Sequence, residues 1–347
     1  MRRTLQCHLF GYFLLSMVSP VVLAAQDAKT PVLKVLERTT EPLLKGDRPW
    51  EEFCIGFCTA MRIGDQWHLW YDAYDRNYRN DADCYSCYAQ SKDGVHWQKP
   101  ALGIYTYQGR KTNNILGFGT HGTTVSYDAH APASERFKAI GVRFHAGQEW
   151  WVYGATSPDG RHWKWLDKPL LKKNADTANV CMCDNGSYRL FVRMWTGQTA
   201  FSGVRIVGYA ESPVFGSFPD PKPILQPDKS DPSDFHLYNS ATAKLRDDLY
   251  LMLPSGFFTK TGNLLICAAY SRDGKRFERL GRTPLLNLGK GFDSSGMYVG
   301  PGAIPGEKPN TYWFYYFGTA TPHDKNEPKK VRHEGGVGRF LLEVVDR

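Results

Sequence analysis

Apolar and polar positions alternate with a period of two along most of this chain, in short runs rich in Val, Ile, Tyr, Phe and Trp. Clusters of Gly, Asp, Asn and Pro separate the runs. Such alternation turns one face of a strand toward a core and the other toward solvent, whereas an amphipathic helix needs apolar residues at i, i+3, i+4 and i+7. No long stretch keeps the helical spacing. The pattern predicts an all-β protein.

A recurring ending groups these strands. The Ser-Lys-Asp-Gly-Val-His-Trp of residues 91–97 returns as Ser-Pro-Asp-Gly-Arg-His-Trp at 157–163 and as Ser-Arg-Asp-Gly-Lys-Arg-Phe at 271–277. Residues 209–218 form a degenerate copy. The aligned serines Ser91, Ser157, Ser212 and Ser271 are separated by 66, 55 and 59 residues. A period of that length marks one supersecondary unit per repeat, and each Asp-Gly supplies the positive φ of a tight hairpin. Three strands precede each ending: 53–63, 66–74 and 84–91 in the first repeat, followed by a short fourth near 96–98. The sets 123–127, 136–144 and 149–156, then 179–183, 188–195 and 204–211, then 238–245, 249–254 and 264–271 follow. A fifth set, 297–304, 312–318 and 336–345, lacks the Asp-Gly ending. The expected fold is a single-domain, five-bladed β-propeller with about four antiparallel strands per blade. The blades fall near 48–98, 114–166, 176–225, 234–282 and 293–347, and residues 30–38 supply the strand that closes the last. A two-sheet sandwich would not explain the period.

The start of the chain changes the picture of where this fold works. Arg2 and Arg3 precede an apolar run from Leu9 to Leu23 that ends in small residues, so residues 1–24 read as a signal peptide. The protein is accordingly expected to be exported, periplasmic or extracellular, with no membrane association after cleavage. The formal charge of +8 falls by the two charges of Arg2 and Arg3 to +6. Those charges form no basic run, which argues against a nucleic-acid partner. Cys7 lies in the signal, and the remaining seven cysteines cannot all pair within one chain. Cys54 and Cys58, with Cys84 and Cys87, have spacings compatible with zinc. Buried thiols or one or two disulfides explain them as well, so no metal site is assigned.

With the blades placed, the chain resembles the five-bladed propeller glycoside hydrolases of families 32, 43 and 117, and bacterial family 32-like proteins in particular. The segments that carry the resemblance are residues 97–104 (Trp-Gln-Lys-Pro-Ala-Leu-Gly-Ile), 113–115 (Asn-Asn-Ile) and 135–139 (Glu-Arg-Phe-Lys-Ala). Residues 292–298 (Phe-Asp-Ser-Ser-Gly-Met-Tyr) and 315–318 (Tyr-Tyr-Phe-Gly) add to it. The family 32 nucleophile signature Trp-x-Asn-Asp-Pro-Asn is absent, and Pro49-Trp-Glu-Glu52 stands at the comparable place. The resemblance implies an oligo- or polysaccharide substrate and no required cofactor. Propellers of this group can hold an axial calcium, but no Asp-x-Asp-x-Asp loop indicates one here.

In a propeller the starts of the innermost strands line one mouth of the central tunnel. Here those starts carry Glu51 and Glu52, His121, Asp176, Asp234 with His236, and Asp293. Glycoside hydrolysis needs two carboxyl groups flanking the scissile bond, one held protonated and one ionised. The provisional assignment makes Glu52 the base, Asp176 the proton donor or its tuner, and Asp234 a third carboxylate. Glu51, Asp72, His121, Arg193, Trp195, His236, Asp293, Tyr298 and His323 are the expected substrate-binding set, His121 and His236 being alternative donors. Asp93, Asp159 and Asp273 belong to outer hairpins and read as structural. The expected activity is an exo-acting glycosidase. A non-catalytic carbohydrate-binding propeller would keep the aromatic residues and lose one of the acids. A sugar lyase would want a Tyr or His base, and a phosphorylase a basic phosphate pocket that the sequence does not reveal.

Overall fold

A computed structural model describes residues 30–145, 149–173, 175–197, 201–324 and 334–346. The expected signal segment 1–24 lies outside them. Helix is confined, among the described residues, to two three-residue 3-10 turns, Pro49–Glu51 and Ala133–Glu135. The rest of the regular structure is antiparallel sheet, apart from one parallel register pair.

Four sheets of four strands stand alone. The first holds Cys54–Ile63, Gln66–Tyr74, Tyr85–Ser91 and Ile115–Phe118. The second holds His121–Tyr127, Phe137–His145, Glu149–Ser157 and Lys164–Trp165. The third is Val180–Asp184, Ser187–Trp195, Arg205–Ser212 and Lys222–Leu225. The fourth is Thr242–Arg246, Leu249–Met252, Ala269–Ser271 and Glu278–Arg279. A fifth, nine-stranded sheet runs through Pro31–Arg38, Gly335–Asp346, Thr311–Thr319, Gly296–Val299, Asn263–Ile266, Ser255–Phe258 and Phe235–Leu237. The arrangement is propeller-like, but five separate four-stranded blades are not what the ladders show.

The fourth repeat is the reason. Pro254 has no N–H to donate and interrupts its second strand between Met252 and Ser255. The Asn239 side chain accepts the Ser255 N–H at 2.6 Å and donates to the Val299 carbonyl at 3.1 Å. The Ser255 hydroxyl donates to the Met297 carbonyl at 2.6 Å. Half of the repeat is thereby tied to the last repeat, joined by the parallel pair Leu264↔Gly296. A second difference lies in the first sheet. Gln98 makes only an isolated bridge to Gln90, and the fourth strand is Ile115–Phe118, which the sequence reading placed in the second blade. Asn114 fixes that return, donating to the Tyr88 carbonyl at 2.8 Å and to the Tyr71 hydroxyl at 2.7 Å.

The repeated hairpins are near copies. In each, the serine hydroxyl accepts the amides of the Asp and Gly that follow, at 3.2 and 3.0 Å for Ser91, 3.2 and 2.9 Å for Ser157, and 3.3 and 2.8 Å for Ser271. The aspartate then accepts the next two amides at 2.8–2.9 Å. Gly94, Gly160 and Gly274 sit at φ +72°, +71° and +70°, where a side chain would be strained. The neighbouring sheet plugs into each turn. Trp70 Nε1 donates to the Gly160 carbonyl at 2.6 Å, Arg189 to the Asp273 carbonyl at 2.8 Å, and the Tyr315 hydroxyl to the Gly94 carbonyl at 2.6 Å. The last of these ties the end of the chain back to its first repeat. Pro31–Arg38 does the same, pairing along Gly335–Asp346 from Pro31↔Asp346 to Arg38↔Phe340.

Candidate active site on the axis

Antiparallel order decides what meets at the axis. Innermost strands begin at one mouth, second strands end there, and third strands begin there. A cavity of about 600 Å³ opens at that mouth, walled by Phe53–Phe57, Tyr74, Tyr78, Trp150, Phe201, Tyr238, Tyr298 and Phe317. Asp81, His121, Asp176, Arg205, His323 and Asp324 supply its charged and titratable groups. The size suits a small ligand, and aromatic faces with a few directed polar groups are what a sugar ring requires. The opposite ends of the same inner strands line a second cavity of about 530 Å³, through Ala60–Gly64, Val125–Tyr127, Val180–Cys183, Thr242–Lys244 and Pro301–Pro305. That mouth carries no carboxylate or histidine among its described lining residues.

Asp176 is the most firmly held acid of the first cavity. It precedes the inner strand of the third sheet in a turn where Asp176 and Ala178 both take positive φ, +46° and +54°. Strain of that kind persists only where surroundings enforce it. Asn179 does so, its amide donating to the Asp176 carbonyl at 3.2 Å and its Oδ1 accepting the Arg193 N–H at 2.9 Å. The buried Arg193 guanidinium donates to the Asp176 carboxylate and, at 2.6 Å, to the Tyr238 carbonyl. It lies 3.7 Å from the centre of the Tyr238 ring. Burial opposes its charge, and Asp176 and Tyr238 more than offset that, raising the pKa.

Across the cavity, His323 is enclosed by Tyr238, Phe257 and Tyr298. Its Nδ1 lies 3.1 Å from the Tyr298 hydroxyl, and its Nε2 lies 3.3 Å from Asp324. Burial pulls its pKa down to about 4, so at neutral pH it is an uncharged hydrogen-bonding group. His236 is also pulled down, by burial and then by Arg205, whose guanidinium lies 3.3 Å from it. His236 is also absent from the described lining of the cavity, so the structure does not bring it into the site as an alternative donor. His121 lines the near wall, with Phe57 packed edge-on at 5.5 Å and Trp150 at 6.0 Å. Asp72 is fully buried behind it, and burial drives its carboxyl up to about 6 against the pull of His121 and the Gly122 amide.

The structure thus brings Asp176, His121, Tyr298 and His323 together, with Arg193 and Asp72 directly behind them. It places other expected residues elsewhere. Glu51 is buried under the first sheet, where it accepts from Lys99 and Tyr71 at 2.6 Å each. Glu52 pairs with the exposed Arg76. Asp234 accepts the Lys260 amide at 3.2 Å at a hairpin end. Asp293 holds Arg38 and the Tyr316 hydroxyl, clasping the first strand to the last sheet. These residues are not among the described lining of the cavity, because each is held by a partner outside it. Trp195 stands edge-on to Phe201 at 5.1 Å, one ring removed from the cavity.

Arg205, Trp150, Asp81 and Phe57 were not singled out from sequence. Arg205 and Trp150 sit at the starts of third strands, and antiparallel order alone brings those starts to the same mouth as the inner-strand starts. Asp81 belongs to the loop of the first sheet, held by the Tyr78 hydroxyl at 2.7 Å. No disulfide joins the seven cysteines of the described residues, all of which are free thiols.

No protein-family model matches this chain, and no curated protein matches it by sequence. Solved structures do match. A thermostable family-43 glycoside hydrolase aligns over 84% of this chain and 89% of its own at 13% identity, with a TM-score of 0.56. A β-1,2-mannobiose phosphorylase from Listeria innocua aligns over 88% and 96% at 15% identity, TM-score 0.60. An N-acetylgalactosamine deacetylase from F. plautii, solved with blood group B trisaccharide, aligns over 91% and 95% at 14% identity, TM-score 0.58. At such identities the likeness establishes a shared propeller fold.

Proposed function

We propose that this protein is an exported, exo-acting glycoside hydrolase whose site is the axial cavity. The observation that carries the reading is the meeting of Asp176 and Asp324 with aromatic walls in one cavity of about 600 Å³. Similar folds belong to proteins whose names describe work on sugars, among them a family-43 hydrolase and a mannobiose phosphorylase. Asp176 keeps the place the sequence pattern gives it, and Asp324 takes over from Glu52 and Asp234: one carboxyl protonates the leaving oxygen while the other stays ionised to activate water or attack. Tyr298, His323 and Arg205 bind hydroxyls, and Trp150 and Phe201 stack on sugar faces. We read the nine-stranded sheet as the fifth blade, fused to the axial half of the fourth.

Arg205 gives a phosphorolytic reading one specific support, since it brings a guanidinium to the cavity. Both readings are tested together by sugar release from aryl glycosides and plant or algal polysaccharides, with and without inorganic phosphate. Wild type is compared with Asp176→Asn and Asp324→Asn, whose folding is checked by thermal melts. The expected result is phosphate-independent release that falls at least about 100-fold in each folded variant. Release that requires phosphate would replace hydrolysis by phosphorolysis, and sugar binding without release would leave a binding propeller.

A further inference from the structure

Behind the cavity wall, three elements deliver side chains of matching chemistry to one point. Asp72 comes from the second strand of the first sheet, Cys84 from the residue before its third strand, and His121 from the first residue of the second sheet. All three are buried, and one ligand atom of each lies within 4.8 Å of the others. We propose that Asp72, Cys84 and His121 bind a thiophilic divalent cation of the zinc class at the wall of the axial cavity.

The distances are close to those an ion requires. Asp72 Oδ2 and His121 Nδ1 are 3.5 Å apart, long for a hydrogen bond. Two donors each about 2.0 Å from a tetrahedral ion stand about 3.3 Å apart, so the ion needs only a small contraction. The other carboxylate oxygen, Asp72 Oδ1, is buried with no hydrogen bond of normal geometry, although the Cys84 thiol and the Thr123 amide also act on the carboxylate. A buried carboxylate oxygen in that condition calls for a cation or a proton. The outer partners are already in place. The Gly122 amide donates to Asp72 Oδ2 at 2.7 Å and orients the carboxylate. An alanine Cβ at Gly122 would collide with Thr177 Oγ1, so that close approach requires glycine. The Tyr74 hydroxyl lies 2.6 Å from His121 Nδ1 and 3.5 Å from Asp72 Oδ2. When the ion takes Nδ1, the hydroxyl turns to the carboxylate.

The donor set selects the ion. Thiolate and imidazole suit zinc or cobalt, and calcium would want oxygen alone. Binding converts the Cys84 S–H to an S–metal bond and releases its proton to water, so the dication ends beside a carboxylate and a thiolate that balance its charge. His121 also lines the cavity, which places the ion against the substrate region without any assigned step.

The test uses the full mature chain, purified reduced, stripped with chelator and titrated with cobalt(II). The expected result is one ion per chain, with visible tetrahedral bands and a near-ultraviolet thiolate-to-cobalt transition that zinc displaces. Cys84→Ser should abolish the transition and His121→Asn should weaken binding at least 100-fold, while Cys183→Ser leaves both unchanged. Zinc X-ray absorption of wild type, which needs no variant to fold, should report one sulfur among nitrogen and oxygen ligands. Absence of stoichiometric binding, binding insensitive to Cys84→Ser, or a shell without sulfur or with several sulfurs would overturn the proposal.

Discussion

His68 shows how a single residue writes the environment of a sheet into a pH dependence. It stacks on Trp70 at 5.6 Å and its Nδ1 lies 2.8 Å from the Tyr88 hydroxyl. Burial and then the nearby Arg161 pull its pKa down to about 4. The unfolded chain therefore binds a proton near pH 6.5 that the folded chain refuses until about pH 4. Its contribution is intact above pH 6.5 and is lost as pH falls through that window. His68→Gln should lose less stability than wild type between pH 7 and pH 4, measured by denaturant melts at each pH. Equal losses would mean that the imidazole is free to protonate in the fold. At the cavity, Trp150 and Phe201 are the rings argued to stack on sugar. Trp150→Ala and Phe201→Ala should each raise KM about 10-fold or more with smaller changes in kcat, because lost stacking affects bound and reacting sugar alike. A fall in kcat at unchanged KM would assign them a different role.

The hairpins are the element at which sequence and structure agree most closely, for a physical reason. Ser-x-Asp-Gly and the two amides that follow it form a closed local set of hydrogen bonds, so the turn's geometry is written in six adjacent residues. A paired substitution separates backbone strain from packing. Gly64 and Gly160 both have positive φ, at +59° and +71°. An alanine Cβ at Gly64 meets nothing within 4 Å, whereas at Gly160 it would lie 2.6 Å from Trp70. Gly64→Ala should cost about 1 kcal/mol and Gly160→Ala at least about 2 kcal/mol more, read from equilibrium unfolding. Similar costs would show that Trp70 is not wedged into the turn. Strand ends were less legible. Glu51 and Glu52 were assigned to the axis from the alternation that follows them, yet Pro49–Glu51 forms a 3-10 turn, and Lys99, 48 residues away, draws Glu51 under the sheet. No local pattern contains that ion pair.

At the scale of the whole molecule, the repeat period announced the small sheets, and strand order explains which ends meet at the axis. The same order, carried to third strands, would have pointed to Arg205 and Trp150. What the period could not show is the tying of the fourth repeat's axial half to the last sheet, which depends on Pro254, Asn239 and Ser255 acting across repeats. Closure depends on equally distant contacts. Asp293 takes Arg38 and the Tyr316 hydroxyl, and the first strand then covers the edge of Gly335–Asp346. Asp293→Ala should destabilise the protein by about 2 kcal/mol, because it removes the carboxylate partner of a part-buried guanidinium that keeps only its bonds to neutral groups such as the Asn287 carbonyl. Melting should remain a single transition if the sheets unfold as one ring. Early, separate loss of the last sheet would show that closure is local.

The central claim is that sugar binds and reacts at the mouth where Asp176, Asp324 and His323 converge. Its most direct test is a crystal structure of Asp324→Asn soaked with an oligosaccharide that the wild type cleaves. The account predicts a terminal sugar ring inside the cavity bounded by Trp150, Tyr238 and Tyr298, with an oxygen within hydrogen-bond distance of Asp176. A sugar seated instead in the opposite cavity, among Ala60–Gly64 and Pro301–Pro305, would contradict it.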